Sequence, residues 1–167
     1  MDHRTVRLAA SLARRVARLA DRRQRSTSQS RSGRHYAGDF VGTPPISYEP
    51  VTDNLADPGE VVWTWVPYEE DHRRGKDRPV LVIGRRRGLL LALQLTSKDH
   101  DHDAADEARR GRYWVDVGAG EWDRQRRPSE ARVDRVLQLD PARVRRIGAV
   151  LPRHVFDRVA EQVRQHT

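Results

Sequence analysis

Apolar residues gather into short runs over residues 58–167 and thin out before them. Val61-Val62-Trp63-Thr64-Trp65-Val66 is β-branched and aromatic, which predicts a strand. Pro79-Val80-Leu81-Val82-Ile83 predicts a second, apolar enough to lie centrally in a sheet. Leu89-Leu90-Leu91-Ala92-Leu93-Gln94-Leu95 predicts a third. Only Gly84 to Gly88 separates the last two, so they read as a hairpin with Arg85, Arg86 and Arg87 at its tip. Tyr113, Val115 and Val117 alternate with Trp114 and Asp116 in a fourth strand, ended by Gly118-Ala119-Gly120, and Val133 to Leu139 reads as a fifth. The pattern then changes. Asp140-Pro141 resembles an N-cap followed by proline at the first helical position, which predicts a short helix closed by Gly148. Val155, Phe156, Val159, Ala160 and Val163 recur at helical spacing and predict a C-terminal amphipathic helix packed on the sheet. Five short strands with tight connections, plus terminal helices, predict a mainly β (α+β) domain over 58–167, a small β-barrel with helical additions. That length holds one hydrophobic core.

The first third reads differently. Leu8, Leu12, Val16 and Leu19 fall on one helical stripe, and Arg7, Arg14, Arg15, Arg18 and Arg22 crowd the remaining surface, so residues 1–25 are expected to hold a basic amphipathic helix. Such a helix over 4–25 suits an anionic membrane surface or a nucleic acid, and equally suits a marginal helix with no specific task. Residues 26–35 carry no large apolar side chain, which is linker composition. Gly38, Gly42, Pro44, Pro45, Pro50 and Pro58 punctuate residues 36–58, while Tyr36, Phe40, Ile46 and Tyr48 offer anchors. Residues 26–57 are therefore expected to be a linker and extended strap, partly disordered.

Charge sharpens that division. The chain of 167 residues is 34% charged and carries a formal net charge of +8. Residues 1–50 hold 10 Arg, no Lys and 4 acids, so most of the excess lies before the folded domain. Arg outnumbers Lys 30 to 2, which fits a GC-rich coding sequence as well as anion recognition by guanidinium forks. With no cysteine, disulfides, thiol nucleophiles and Cys-ligated metal centres are excluded. A reducing, cytoplasmic setting is expected. No apolar run is long enough to cross a bilayer as a helix.

Two features attract chemical attention on composition alone. Asp99-His100-Asp101-His102-Asp103 alternates oxygen and nitrogen donors that suit a divalent cation. Without a distant third ligand it reads better as a solvated loop, and no metal or other cofactor is expected. Trp63, Trp65, Trp114 and Trp122 could stack bases, although tryptophan in a small barrel is more often core. Trp122, flanked by charges, is the one expected to be exposed, in a loop 122–128 that could shape sequence choice.

Three stretches together resemble the PemK/MazF-like toxins of type II toxin–antitoxin modules, over residues ~59–163. They are Gly59-Glu60-Val61-Val62-Trp63, Gly75-Lys76-Asp77-Arg78-Pro79-Val80-Leu81-Val82-Ile83, and Leu93-Gln94-Leu95-Thr96-Ser97. The resemblance implies an SH3-like barrel that dimerises. It implies a metal-independent endoribonuclease acting on single-stranded RNA, leaving 2′,3′-cyclic phosphate and 5′-OH ends, and a cognate antitoxin that covers the site. Arg78 occupies the family's catalytic arginine position and Thr96 its catalytic hydroxyl position. The resemblance implies RNA contacts at Glu70, Lys76, Asp77, Ser97, Lys98, His100 and Arg143. His100, four residues after Thr96, is also a candidate general acid or base. The chain departs from the family where Gly-x-Glu-Gln often precedes the Arg-Pro. Here Glu69-Glu70-Asp71 is followed by His72-Arg73-Arg74, and of the family's Gln-Ile-Arg segment only Arg143 carries over. A second reading stays open: a non-catalytic SH3-like module that binds nucleic acid or a protein tail. The folded domain's near-balanced charge weighs against a tight nonspecific nucleic-acid binder.

Overall fold

The computed structural model describes residues 36–98 and 104–167. The basic helix expected over residues 4–25, the linker before Tyr36 and the Asp99 to Asp103 run lie outside the described residues. The strands are β1 (Asp39–Phe40), β2 (Glu60–Pro67), β3 (Gly75–Arg86), β4 (Leu89–Thr96), β5 (Trp114–Gly118), β6 (Ser129–Arg132), β7 (Val136–Leu139) and β8 (Arg146–Val150). The helices are α1 (Ala104–Arg109) and α2 (Arg153–His166), with one 3-10 turn at Pro141–Arg143.

All pairings are antiparallel. The order runs β1-β7-β4-β3-β2-β8, with β6 joined to β4 and β5 joined to β6. The β3–β4 hairpin forms as the sequence indicates. Its turn, Arg87-Gly88, has φ of +47° and +78°. Positive φ at both central residues matches the right-handed twist of the flanking strands.

The sheet is not a closed barrel: β1 and β8 are the two ends of the ladder and do not pair among the described residues. The reason lies in β4. Its Leu90 to Ala92 stretch pairs with β7, while Leu95 and Thr96 pair with β6. The fifth strand read from the sequence, Val133 to Leu139, is observed as β7 over Val136–Leu139, and β6 just before it is a strand that the pattern did not show. Between β6 and β7 Asp134 accepts from the Tyr113 amide at 2.7 Å and from Arg132 Nε and Nη2, turning the chain from one arm of the sheet to the other.

The short helix expected up to Gly148 is a single 3-10 turn, capped by Asp140, whose side chain accepts from the Ala142 amide at 2.9 Å. The chain then becomes β8, pairing with β2. A Cβ at Gly148 would lie 2.9 Å from Trp122 Cβ and 3.0 Å from the Val61 carbonyl, so this glycine serves close strand packing rather than a helix end. The sequence pattern also missed α1, a short exposed helix with no buried residue to give it a periodic stripe.

The two faces of the sheet carry separate cores. Helix α2 buries Phe156, Val159, Ala160 and Val163 against one face, among Val61, Leu81, Ile83, Leu91, Leu93 and Leu95. Val62, Val66, Val80, Val82, Leu90, Ala92, Leu137 and Leu139 form the other. Period-two alternation separates the sets on each strand. Residues 36–57 lie against both. Phe40, Ile46 and Tyr48 pack on the α2 side and Tyr36 on the opposite one. The Ser47 amide donates to the Ile83 carbonyl at 3.0 Å, and the Tyr48 hydroxyl donates to the Leu151 carbonyl at 2.9 Å. Among the described residues no helix is long and apolar enough to cross a membrane.

Candidate active site

The face without α2 changes character towards one end. Along β3 the inward positions run Val82, Val80, then Arg78; along β4 they run Ala92, Gln94, then Thr96. The register pairs Val80 with Gln94. Arg78, two residues before Val80, and Thr96, two after Gln94, both line one cleft of about 370 Å³. The strand periodicity that builds the core thus also delivers a cation and a hydroxyl to the same place.

One wall of the cleft is the Pro67-Tyr68-Glu69-Glu70 segment after β2. Gln94 and Lys98 flank Thr96, and Glu107, Arg110, Arg112 and Trp114 come from α1 and the residues leading into β5. Arg132 and Arg135 complete the lining from β6 and the turn after it. Six cationic side chains against three carboxylates make it a cation-rich cleft suited to a polyanion.

The arginines are not equivalent. Arg132, 8% exposed in its side chain, reaches Glu69 at 2.8 Å and Asp134 at 2.7 Å. Burial works against the charge on Arg132, but hydrogen bonds to Asp134 and Glu69 outweigh it and hold the guanidinium firmly protonated. The same bond holds the Glu69 carboxyl below the usual carboxylate range. Arg135, 5% exposed, binds Asp39 through Nε at 2.9 Å and Nη2 at 3.2 Å, and gives Nη1 to the Pro67 carbonyl at 3.1 Å. Burial pushes Asp39 up, yet hydrogen bonds from Arg135 and Tyr36 prevail and keep it ionised.

Arg78 is different. It is half-buried, and its Nε is buried with no hydrogen-bond partner among the described residues. A buried guanidinium N–H without an acceptor is costly unless a ligand supplies one. Thr96 Oγ1 accepts from the Lys98 amide at 3.1 Å, which leaves the hydroxyl hydrogen free to donate. The cleft therefore offers a fork donor and a hydroxyl donor in one lining, a donor set suited to the non-bridging oxygens of a phosphodiester.

The structure brings Arg78, Thr96, Glu70 and Lys98 together around this cleft. It does not bring the other sequence candidates into the lining. Lys76 is exposed further along β3, and Ser97 is exposed beyond Thr96. Asp77, one residue from Arg78 and so on the opposite side of the strand, pairs with Arg145. Arg143 is exposed on the 3-10 turn, and its carbonyl accepts from Thr64 Oγ1 at 3.2 Å. His100 lies outside the described residues. Among the described residues no group of His, Asp and Glu is arranged to hold a metal ion.

Gln94, Arg132 and Arg135 were missed from sequence. Gln94 was legible, being two residues before Thr96 and so on its face. Arg132 and Arg135 were not, because their burial depends on acids distant in the chain, Glu69 and Asp39. The expectation for Trp122 is corrected. It is 2% exposed, its Nε1 donates to Ser129 Oγ at 3.2 Å, and its carbonyl accepts from Trp63 Nε1 at 2.8 Å. Flanking charges misled because Gly120 and Gly148, having no Cβ, let the ring and backbone of residue 122 pack inward. Trp114 is the tryptophan at the cleft, with Nε1 donating to Glu107 Oε2 at 3.2 Å.

Comparison with known proteins gives the family. No curated protein matches the chain. Among solved structures, a chain of the MazE-MazF crystal structure (Form-II) from Deinococcus radiodurans is similar, at 21% identity and a TM-score of 0.45, covering 66% of this chain and 94% of that one. The model of the PemK-like, MazF-like toxins of type II toxin–antitoxin systems matches residues 57–167. That span takes in every strand from β2 onward and all of the cleft, and the chain belongs to this toxin family.

Proposed function

We propose that this protein is the toxin of a toxin–antitoxin module and cleaves single-stranded RNA by transesterification without a metal ion. The family's toxins are endoribonucleases in general. The observation that carries the reading here is that Arg78 and Thr96 line one cation-rich cleft, with the Arg78 Nε buried and unpartnered among the described residues.

In the reaction the ribose 2′-oxygen attacks the adjacent phosphorus, the bond to the 5′-oxygen breaks, and the products are a 2′,3′-cyclic phosphate and a 5′-OH. One proton leaves the 2′-hydroxyl and one reaches the departing oxygen. Arg78 binds the phosphoryl oxygens more tightly as charge builds on them and donates towards the leaving oxygen. Thr96 donates to a second phosphoryl oxygen and fixes the phosphate against the strand end. Glu70 and Lys98 line the path of the strand, and Trp114 supplies an apolar surface for a base. Arg132 and Arg135, their charges compensated by Glu69, Asp134 and Asp39, fix the shape of the lining.

The cationic cleft also suits an antitoxin segment with acidic side chains laid over Arg78, which would exclude RNA by charge and by volume. The working form is a homodimer in the cytoplasm. The basic residues 4–25 add an anchor to RNA or an anionic surface.

Cutting a long mixed-sequence RNA in excess EDTA and mapping the ends tests the reading. Discrete cuts with 5′-OH and cyclic phosphate ends are expected. Cuts only after Mg2+ is restored, or 5′-phosphate ends, would contradict the chemistry. RNA retained intact by a folded, antitoxin-free protein would favour the binding-module reading.

A further inference from the structure

Residues 36–56 precede the span matched by the toxin family, yet they contact Arg135 of the cleft lining and His72 beside it. Tyr36 donates its hydroxyl to Asp39 and presents its ring edge-on to His72, with centroids 5.0 Å apart. Asp39 takes two hydrogen bonds from Arg135, whose third guanidinium nitrogen holds the Pro67 carbonyl. Pro67 begins the cleft wall that carries Glu69 and Glu70. The same segment is closed on itself by the Tyr68 amide donating to the Arg74 carbonyl at 2.8 Å. The N-terminal strap therefore touches this wall twice, at its root through Arg135 and near its tip through His72.

We infer that Asp39 is a positioning residue: it locks Arg135, and through Pro67 the 67–74 segment, in the shape the RNA cleft requires. The inference rests on the ribonuclease reading for its effect on turnover and on geometry alone for its effect on the segment. Arg135 has no other carboxylate to satisfy it among its hydrogen bonds. Removing the Asp39 charge leaves a nearly buried guanidinium uncompensated, and it must swing towards solvent or into the cleft. Either movement releases the Pro67 carbonyl. Displacement of a cleft wall by even an ångström is enough to reduce turnover greatly.

The test compares three full-length variants, Asp39→Asn, Tyr36→Phe and Tyr48→Phe. Tyr48→Phe removes the strap's hydrogen bond to Leu151, on the α2 face and away from the cleft, and serves as the matched stability control. Two readouts are taken: RNA cleavage as kcat and KM, and amide hydrogen exchange of residues 67–74. Asp39→Asn is expected to lower kcat/KM roughly tenfold to a hundredfold, and to speed exchange of the 67–74 amides by about tenfold or more. Tyr36→Phe, which keeps the carboxylate, is expected to show the same changes in smaller measure. Tyr48→Phe should change neither readout even where it lowers the unfolding midpoint. If Asp39→Asn does not fold, the milder Tyr36→Phe decides. Unchanged exchange at 67–74, or changes matched by Tyr48→Phe, would overturn the positioning role. A wild type that leaves RNA intact would defeat the ribonuclease reading, while the exchange data would still decide for or against the clamp.

Discussion

Glu60 opens β2 with its side chain almost wholly buried and accepts from the Asp57 amide at 2.8 Å. Burial, together with repulsion from Asp57 and Asp53, pushes its pKa up to about 7 from an ordinary 4.5. The unfolded chain releases this proton at lower pH than the folded one. The stability it contributes is therefore fully present below about pH 4.5 and is lost as pH rises through about 7. Glu60→Gln keeps an acceptor for the Asp57 amide and removes the titration. Above neutrality it should be more stable than wild type by on the order of 2 kcal/mol, and the gap should close in acid. Urea unfolding at pH 5 and pH 8.5 checks this; equal stabilities of the two proteins at both pH values would contradict it. Asp39 and Glu69 act in the opposite sense. Their carboxyls are held low, so they support the fold above the ordinary carboxylate range and cease to as acid protonates them.

At the scale of elements, the hairpin and the strap each turn on one or two backbone positions. Gly84 lies at an irregularity in the β3–β4 register, where the strap crosses, and a Cβ there would fall 1.9 Å from the Pro45 carbonyl oxygen. Since the obstacle is backbone, Gly84→Ala should cost roughly 1–3 kcal/mol, read from the urea midpoint; no shift would mean that the strap does not hold this course in solution. Arg87 bears a positive φ that a long L side chain disfavours, so Arg87→Asn should gain up to about 1 kcal/mol in the same assay. Helix α2, the β3–β4 hairpin and the strands β2 and β5 were legible because their apolar spacing is set by faces they bury locally. The strand β6, which precedes the predicted fifth strand, was not legible. It reads Ser-Glu-Ala-Arg, with Ala131 its one apolar residue, and is held by pairing with β4 and β5, so it leaves no apolar period in the sequence. The strand β8 was hidden by Asp140-Pro141, a true capping signal that starts only one turn. Arg78 and Thr96 were read from the family's motifs, and strand alternation explains why both fall on the face that lines the cleft.

On the whole-molecule scale, the family span begins at residue 57, but the folded unit does not stop there. The β1–β7 ladder, the Ser47 bond to Ile83 and the Asp39–Arg135 pair all join the preceding segment to the sheet. A chain shortened to residues 57–167 should therefore unfold at clearly lower urea than the full chain; an unchanged midpoint would show that the strap adds nothing to stability. In the proposed reaction Arg78 and Thr96 act on one phosphate. The decisive comparison is the single-turnover cleavage rate of one RNA at saturating protein, for wild type and for folded Arg78→Ala and Thr96→Ala. Loss of a preorganised donor to the developing charge predicts a fall of about a hundredfold to a thousandfold for Arg78→Ala. A substantial fall is also expected for Thr96→Ala, and the double variant should be little worse than Arg78→Ala alone. Rates within a few-fold of wild type in Arg78→Ala would contradict this assignment and move the chemistry to another part of the molecule.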